Sequence, residues 1–496
     1  MDFSSQNFLF IFLPLVYAVY CLVGIKMRGA VLLLASLYFY ASGNFLYLFV
    51  FLDFLVLNYF FARVIDSCGE PEARYKAIIV SVAANLIILI VFKYLGFFCG
   101  ILNSSLQPIG VTPIRVQQFA LPLGLSFLTF QAIAYLIDVY RQEISPERNI
   151  IKFSLAFAFF PKLVAGPIVR MDQIEGALER PVITLDDFVA GFKRIVIGLG
   201  KKLILADTLA KTADQIFAIH SHDLTTPVAW LGIVCYTLQL YFDFSGYTDM
   251  AIGLGRLFGY SLPENFDYPY SAKSLTEFWR RWHISLSTWF RDYLYIPLSY
   301  TLMTEKVRQK VAQGKYKTNY RALFSIVVVF TLCGLWHGAN WNFVIWGMLH
   351  GIILALESWK FGKILKKSWA PLAHLYLIFV VMLCWVFFRI PVFVDALLFL
   401  QSLSGFSPAV SGLSQLRIYV SIELLLVLCI AFIGALPMVK VYWEWLGKIL
   451  TQNSIAERVG QKFISFAEAV MLAAIFLASL QAVIGTVSKP FIYAQF

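Results

Sequence analysis

Two histidines stand where the chain is otherwise greasy. His337 lies in "TLCGLWHGANWNFVIWG" (331–347), between two apolar runs, and His283 lies in "SLTEFWRRWHISLSTWFRDYLYIPL" (274–298). A neutral imidazole takes up and returns a proton near neutral pH, which suits general-base or nucleophilic chemistry. An ionisable ring at membrane depth marks function by default. Its bland alternative is a core histidine bonded to a carbonyl in a tight helical hairpin.

The 274–298 stretch interleaves Glu277, Arg280, Arg281, Arg291 and Asp292 with Trp279, Trp282, Trp289, Tyr293 and Tyr295. It is too polar for a spanning helix and too aromatic for a solvated loop, so an interfacial or re-entrant helix is expected. On one continuous helix Trp279 and His283 are i and i+4 and share a face. Arg280 and Arg281 suit the phosphates of a nucleotide-bearing donor or of lipid headgroups.

Upstream, "QLYFDFSGYTDMAIGLGRLFGY" places Asp243, Ser245 and Asp249 at the end of an apolar run, where carboxylates must be paired or face a cavity. Either carboxylate is a candidate to orient an imidazole; capping a helix or pairing with a cation is the alternative. Gly253, Gly255 and Gly259 lack G-x-G-x-x-G spacing and read as helix packing or chain reversal. "FFPKLVAGPIVR" (159–170) carries two prolines and Lys162 in an apolar run, the pattern of a discontinuous helix lining a cavity. Lys193, Arg194, Lys201 and Lys202 read as a basic face at the cytoplasmic interface.

The elements that must hold these groups are membrane helices. The chain is 60% hydrophobic and 14% charged with mean hydropathy +0.74, outside the range of a soluble domain. Apolar runs recur along its whole length and give roughly eleven to fourteen spans or part-spans, several shorter than the ~20 residues of a full crossing. This is an all-α polytopic membrane protein, read as a single integral-membrane domain over 1–496, with a motif-bearing core at 118–357 and C-terminal helices at 358–496. No basic n-region precedes the first run, so it is expected to remain as a helix; Lys26 and Arg28 after it place the N-terminus outside.

The most basic loop, with Lys306, Arg308, Lys310, Lys315, Lys317 and Arg321, precedes the run ending at His337, and Lys360, Lys363, Lys366 and Lys367 follow the next run. With both loops cytoplasmic, 322–336 and 341–357 form a hairpin whose tip is WHGAN. Arms of about fifteen residues reach roughly 22 Å, so His337 falls within membrane depth.

The absences narrow the chemistry. No G-x-S-x-G, H-E-x-x-H or P-loop occurs, which removes support for a serine hydrolase, a zincin or a nucleotide-driven pump. The seven cysteines show no C-x-x-C or metal-ligand spacing, so no metal site is expected. The net charge of +11 resides in loops and answers to topology and anionic lipid, not to nucleic acid.

The segments "LPLGLSFLTFQAIAYLIDVYR", "PKLVAGPIVR", "YFDFSGYTDMAIGLGRLFGY", "SLTEFWRRWHISLSTWFRDYLYIPL", "GLWHGANWNFVIWGMLHG" and "PFIYAQF" together resemble the bacterial membrane-bound O-acyltransferases, and within them the alginate O-acetyltransferase subgroup. The resemblance runs in consistent order along essentially the whole chain. It implies many helices around a central tunnel, with the family's signature histidine matching His337 and a second histidine matching His283 nearer the cytoplasm. It implies acetyl-CoA as donor, an exported SGNH-type partner, polysaccharide assembly machinery around it, and a multi-pass protein of the bacterial inner membrane. The activity implied is O-acetylation of a secreted polysaccharide such as alginate or cellulose.

One departure stands out: after "DYLYIPL" many relatives have a "GGN" turn where this chain reads "SYTLMTEKVRQKVAQGK". D-alanyl transfer to teichoic acid, from a carrier protein, is the same-class alternative. A non-catalytic transporter or scaffold, with His337 as a gate or proton site, is the alternative from another class. In the acyl-transfer reading His337 is a general base, and an acetyl-histidine intermediate is a second route. The oxyanion donors stay open among Trp336, Trp282, Asn340 and His283. His350 reads as structural, and His220, His222 and His374 carry no signal.

Overall fold

The computed structural model describes residues 1–117, 119–179, 181–220, 222–302, 320–406, 412–442, 445, 454–485 and 491–492. Among the described residues there is no β-strand, and helices follow one another throughout. Seven helical stretches are long and apolar enough to cross a bilayer: Phe45–Ser67, Pro71–Ile109, Thr226–Leu257, Tyr320–His337, Trp341–Trp359, Ala370–Arg389 and Ile464–Gly485. Shorter apolar helices, Phe8–Leu22, Leu125–Tyr140, Phe393–Leu403 and Ile422–Ala435, accompany them. Exposed Leu, Ile, Val and Phe side chains around the outside are what lipid contact requires, because hydrocarbon is as apolar as they are.

Burial separates centre from periphery. The apolar window of Thr226–Leu257 is 83% buried, whereas that of Ile464–Gly485 is 11% buried, so the first is the central post and the second faces lipid. Glycines let Leu185–Leu199 and the π-helical turn after it lie directly on the post. An added Cβ at Gly253 would stand 2.6 Å from the Gly191 carbonyl oxygen, and one at Gly246 would stand 2.8 Å from that of Gly198. Gly259, at φ 82°, then turns the chain after the post.

The hairpin expected around WHGAN is present. Tyr320–His337 and Trp341–Leu356 run antiparallel, joined by Gly338–Asn340, and the Asn340 side chain caps the second helix by accepting from the Asn342 N–H at 2.8 Å. A Cβ on Gly334 or Gly347 would run into the facing carbonyl of Phe343 or Phe330, so these positions set how closely the arms pack. Arg321 starts the first arm; Lys306, Arg308, Lys310, Lys315 and Lys317 lie outside the described residues.

The segment 159–170 is a broken helix as its prolines predict. Ile150–Ala158 stops at Phe159, whose non-helical backbone (φ −48°, ψ 106°) precedes the one-turn helix Phe160–Leu163. Lys162 within it is buried and donates to Gln131 Oε1 at 2.7 Å.

Candidate active site

His337 is the last residue of its helix and is 3% exposed. Its imidazole is walled by the rings of Trp336, Trp346 and Phe388, with centroids 4.9, 5.1 and 5.2 Å away. The helix end that carries it is tied down from the Pro71–Ile109 stretch. Lys93 Nζ donates to the Trp336 carbonyl at 2.5 Å, and the Tyr94 hydroxyl donates to the Leu335 carbonyl at 3.0 Å. Both satisfy carbonyls that have no partner inside the helix, and the ammonium also complements the negative end of the helix dipole. Sequence reasoning passed over Lys93; a lysine at the edge of an apolar run reads as snorkelling until its partner is seen.

His283 sits across Trp336 from His337, its ring centroid 6.5 Å from the indole. Phe244 meets it edge-on at 4.7 Å and Phe127 stacks at 6.2 Å. The expected continuous helix through 274–298 is corrected here. Leu275–Arg281 ends, Trp282 is extended, and His283 takes the left-handed conformation at φ 45° and ψ 55° before Ile284–Phe290 begins. Histidine tolerates that region better than most residues.

Trp279 and His283 therefore do not share a face. The Trp279 indole N–H donates instead to His350 Nδ1 at 3.2 Å, deep in the hairpin, which fits His350 as a structural residue.

The turn at His283 is held by Asn265, which sequence reasoning also missed. The Asn265 carbonyl accepts from the Ile284 N–H at 3.0 Å, and its side-chain oxygen accepts from the Ser285 N–H at 3.1 Å and the Ser285 hydroxyl at 2.9 Å. The same oxygen lies 3.2 Å from His283 Nδ1.

Nearer the open end of the hairpin, the buried carboxylate of Glu357 accepts from the N–H groups of Leu275 and Thr276, each at 2.8 Å. It fixes the Trp279 helix to the hairpin and places negative charge at that helix's N-terminus.

The carboxylates of the central post serve cations and not imidazoles, the pairing alternative of the two readings. Asp243 pairs with Lys202 at 2.7 Å and accepts from the Ile492 N–H at 2.8 Å. Asp249 accepts from Arg194 and Lys201, each at 2.7 Å. Arg194, Lys201 and Lys202 thus turn inward and do not form the basic interfacial face expected of 191–207, because buried carboxylates on the neighbouring helix attract them. Ser245 is buried on the same helix, and its hydroxyl has no partner among the described residues.

Of the remaining candidates, Arg281 is bound to Glu277 and Ser271, while Trp282 packs on Trp385 and Phe278. The Trp336 indole N–H is buried with no partner among the described residues.

Cavities approach this centre from both ends of the hairpin. One of about 550 Å³ opens beside its base; Arg280, Arg291 and Ser358 line it with Trp279 and Phe330, and it reaches Cys333, one helical turn before His337. At the tip, one of about 680 Å³ is lined by Tyr40, Asn44, Lys93, Phe127 and Asn340, and one of about 470 Å³ by Lys202, Asp243, Arg389 and again Asn340. The Trp336–His337 step separates base from tip. Among the described residues no cluster of His, Cys, Asp and Glu suited to a metal ion occurs.

A family model described as MBOAT, membrane-bound O-acyltransferase family, matches residues 142–399. The chain is 42% identical over 390 residues to the probable alginate O-acetylase AlgI of Azotobacter vinelandii, covering 78% of this chain and 75% of that one. It is 35% identical to the peptidoglycan O-acetyltransferase of Helicobacter pylori, covering 81% and 80%. It is 30% identical to the teichoic acid D-alanyltransferase of Bacillus subtilis, covering 56% and 72%.

Proposed function

Because this chain belongs to the membrane-bound O-acyltransferase family, we propose that it carries an acetyl group from a cytoplasmic thioester across the membrane to a hydroxyl on the far side. The observation that carries the proposal is the placement of His337 between a cavity at the hairpin base and cavities at its tip.

The base is the cytoplasmic side of the inner membrane and the N-terminus lies outside. Lys363, Lys366 and Lys367 follow the second hairpin arm, and Arg280 and Arg291 line the base cavity, as the positive-inside rule asks. Acetyl-CoA enters there, its charged end near the arginines and its thioester carried up the apolar wall toward Cys333. The acceptor hydroxyl comes from the tip.

His337 takes the hydroxyl proton as the oxygen attacks the thioester carbonyl. The tetrahedral intermediate collapses, the carbon–sulfur bond breaks, and the thiolate takes the proton back, so no net proton is released. The indole N–H of Trp336 donates to the oxyanion, a role supported by its burial beside His337 without a partner among the described residues.

The final acceptor is a secreted polysaccharide of the alginate or cellulose kind, reached through an exported SGNH-type partner working with the assembly machinery. Acetyl is preferred to D-alanyl because the likeness to O-acetylating relatives extends over more of the chain.

The test is the acetyl content of exopolysaccharide from cells carrying wild type, His337→Ala or His283→Ala, with membrane levels of each protein measured. Acetylation should vanish in His337→Ala at normal protein level. Normal acetylation in that strain would sink the assignment and leave the histidine as a bonded piece of a hairpin.

A further inference from the structure

The hydrogen bonds around Asn265 decide which nitrogen of His283 carries its proton. Its Oδ1 receives two donors, the Ser285 N–H at 3.1 Å and the Ser285 hydroxyl at 2.9 Å; the hydroxyl oxygen in turn accepts from the Ile168 N–H at 3.1 Å, which leaves its hydrogen for Asn265. The backbone donor fixes that atom as oxygen rather than nitrogen, so the amide cannot be flipped. An amide oxygen only accepts, so a ring nitrogen bonded to it must donate. His283 Nδ1, 3.2 Å from this oxygen, therefore bears the hydrogen, and the lone pair of the neutral ring is on Nε2.

We propose that Asn265 is a positioning residue that locks His283 in the Nδ1–H tautomer, so that His283 serves acyl transfer as a proton or hydrogen-bond acceptor through Nε2 and not as an oxyanion donor. This rests on the proposed acyl transfer and narrows the division of labour within it. The left-handed backbone at His283 belongs to the same device: it brings Nδ1 back toward the 263–267 loop, whose Asn265 is fully buried.

Few charges compete with this bond. On the Asn265 loop, Glu264 is taken by Arg194 at 2.8 Å and Asp267 is exposed. From the packed helices the ionisable groups are Asp243, paired with Lys202, and Asp249, paired with Arg194 and Lys201, on the central post, together with His337 at the end of the first hairpin arm and Lys93, held at the Trp336 carbonyl. Phe127, Phe244 and Trp336 supply the other contacts described.

The test uses the full chain in lipid nanodiscs, labelled with 15N-histidine, with the His283 signals assigned by their loss in His283→Gln. Wild type should show a protonated Nδ1 and an unprotonated Nε2; a proton on Nε2 overturns the proposal. In parallel, inverted membrane vesicles are given labelled acetyl-CoA and incorporation into polysaccharide is followed from about pH 5 to 9.

Asn265→Asp keeps an oxygen for the same donors but adds a charge that favours the imidazolium, so the acid limb of the profile should move to higher pH. Asn265→Ala should lower transfer by about 100-fold through misplacement of the ring. A residue that only supported the fold would lower protein level and leave the pH profile of the remaining activity where it was. Failure of the underlying acyl-transfer reading would show differently, as His337→Ala vesicles that transfer normally while the His283 spectrum keeps its predicted tautomer.

Discussion

The Lys93 ammonium donates to the backbone carbonyl of Trp336, the residue before His337, and also stands 5.6 Å over the Trp336 ring. One cation thus closes the C-terminus of the helix that delivers the candidate base and braces the indole beside it. The same lysine lines the cavity at the hairpin tip.

Replacing it separates charge from hydrogen bonding. Lys93→Gln keeps an N–H donor at shorter reach, and Lys93→Met keeps only the stem. A cation at a partly buried helix C-terminus contributes up to about 2 kcal/mol, and an unpaired buried carbonyl costs about 1–3 kcal/mol. We expect Lys93→Met to reduce both membrane level and acetylation, and Lys93→Gln to recover more of the level than of the activity. Quantitative blotting with acetyl analysis checks this; wild-type acetylation in Lys93→Met would show that the helix end needs no brace.

Lys202 and Asp243 form a buried pair, their side chains 4% and 3% exposed, and Lys202 also reaches Asp207 at 2.9 Å. Removing one member of a buried pair leaves an uncompensated charge at a cost of about 3–5 kcal/mol, whereas replacing both with apolar groups is often close to neutral. Lys202→Met leaves the buried carboxylate of Asp243 without its cation and should accumulate least. Asp243→Asn leaves Lys202 with Asp207 and should accumulate better, and Lys202→Met combined with Asp243→Leu should exceed Lys202→Met alone. Thermal unfolding of the detergent-solubilised variants gives the order, and a double variant no better than Lys202→Met would mean that the pair does more than neutralise itself.

The hairpin was legible because its signals are local: two apolar runs of similar length, the WHGAN tip between them, and basic residues before the first arm and after the second. The histidines stood out against that background for the same reason. Three relationships were hidden because each depends on a partner distant in the chain. Arg194, Lys201 and Lys202 look like part of a surface stripe until Asp243 and Asp249 are placed beside them. Lys93 looks like an interfacial lysine until the end of the Tyr320–His337 helix arrives. The break at His283 contradicts good helical periodicity, and the Asn265 loop, which no local pattern announces, accounts for it.

At the base of the molecule Asp292 offers a pH test that leaves the histidines untouched. Its carboxylate receives Arg291 at 2.6 Å and is also bound by Arg170, linking the 291–295 turn to the broken-helix segment. Partial burial alone would raise its pKa, but the hydrogen bonds and charges of Arg291 and Arg170 outweigh it and hold the carboxyl below its ordinary range. With the folded value depressed, the stabilisation is fully present above the unfolded carboxylate pKa, about 3.9, and is lost as pH falls through the lower folded value. Between pH 6 and 8 the Asp292 carboxyl should therefore stay ionised, on the order of two units clear of its own titration. Asp292→Asn should lower thermal stability throughout that neutral range and flatten the dependence below about pH 4. Unfolding midpoints of the purified variants between about pH 3 and 8 decide it. An Asp292→Asn protein with wild-type midpoints across the neutral range would show that Arg170 and Arg291 hold the turn without their carboxylate.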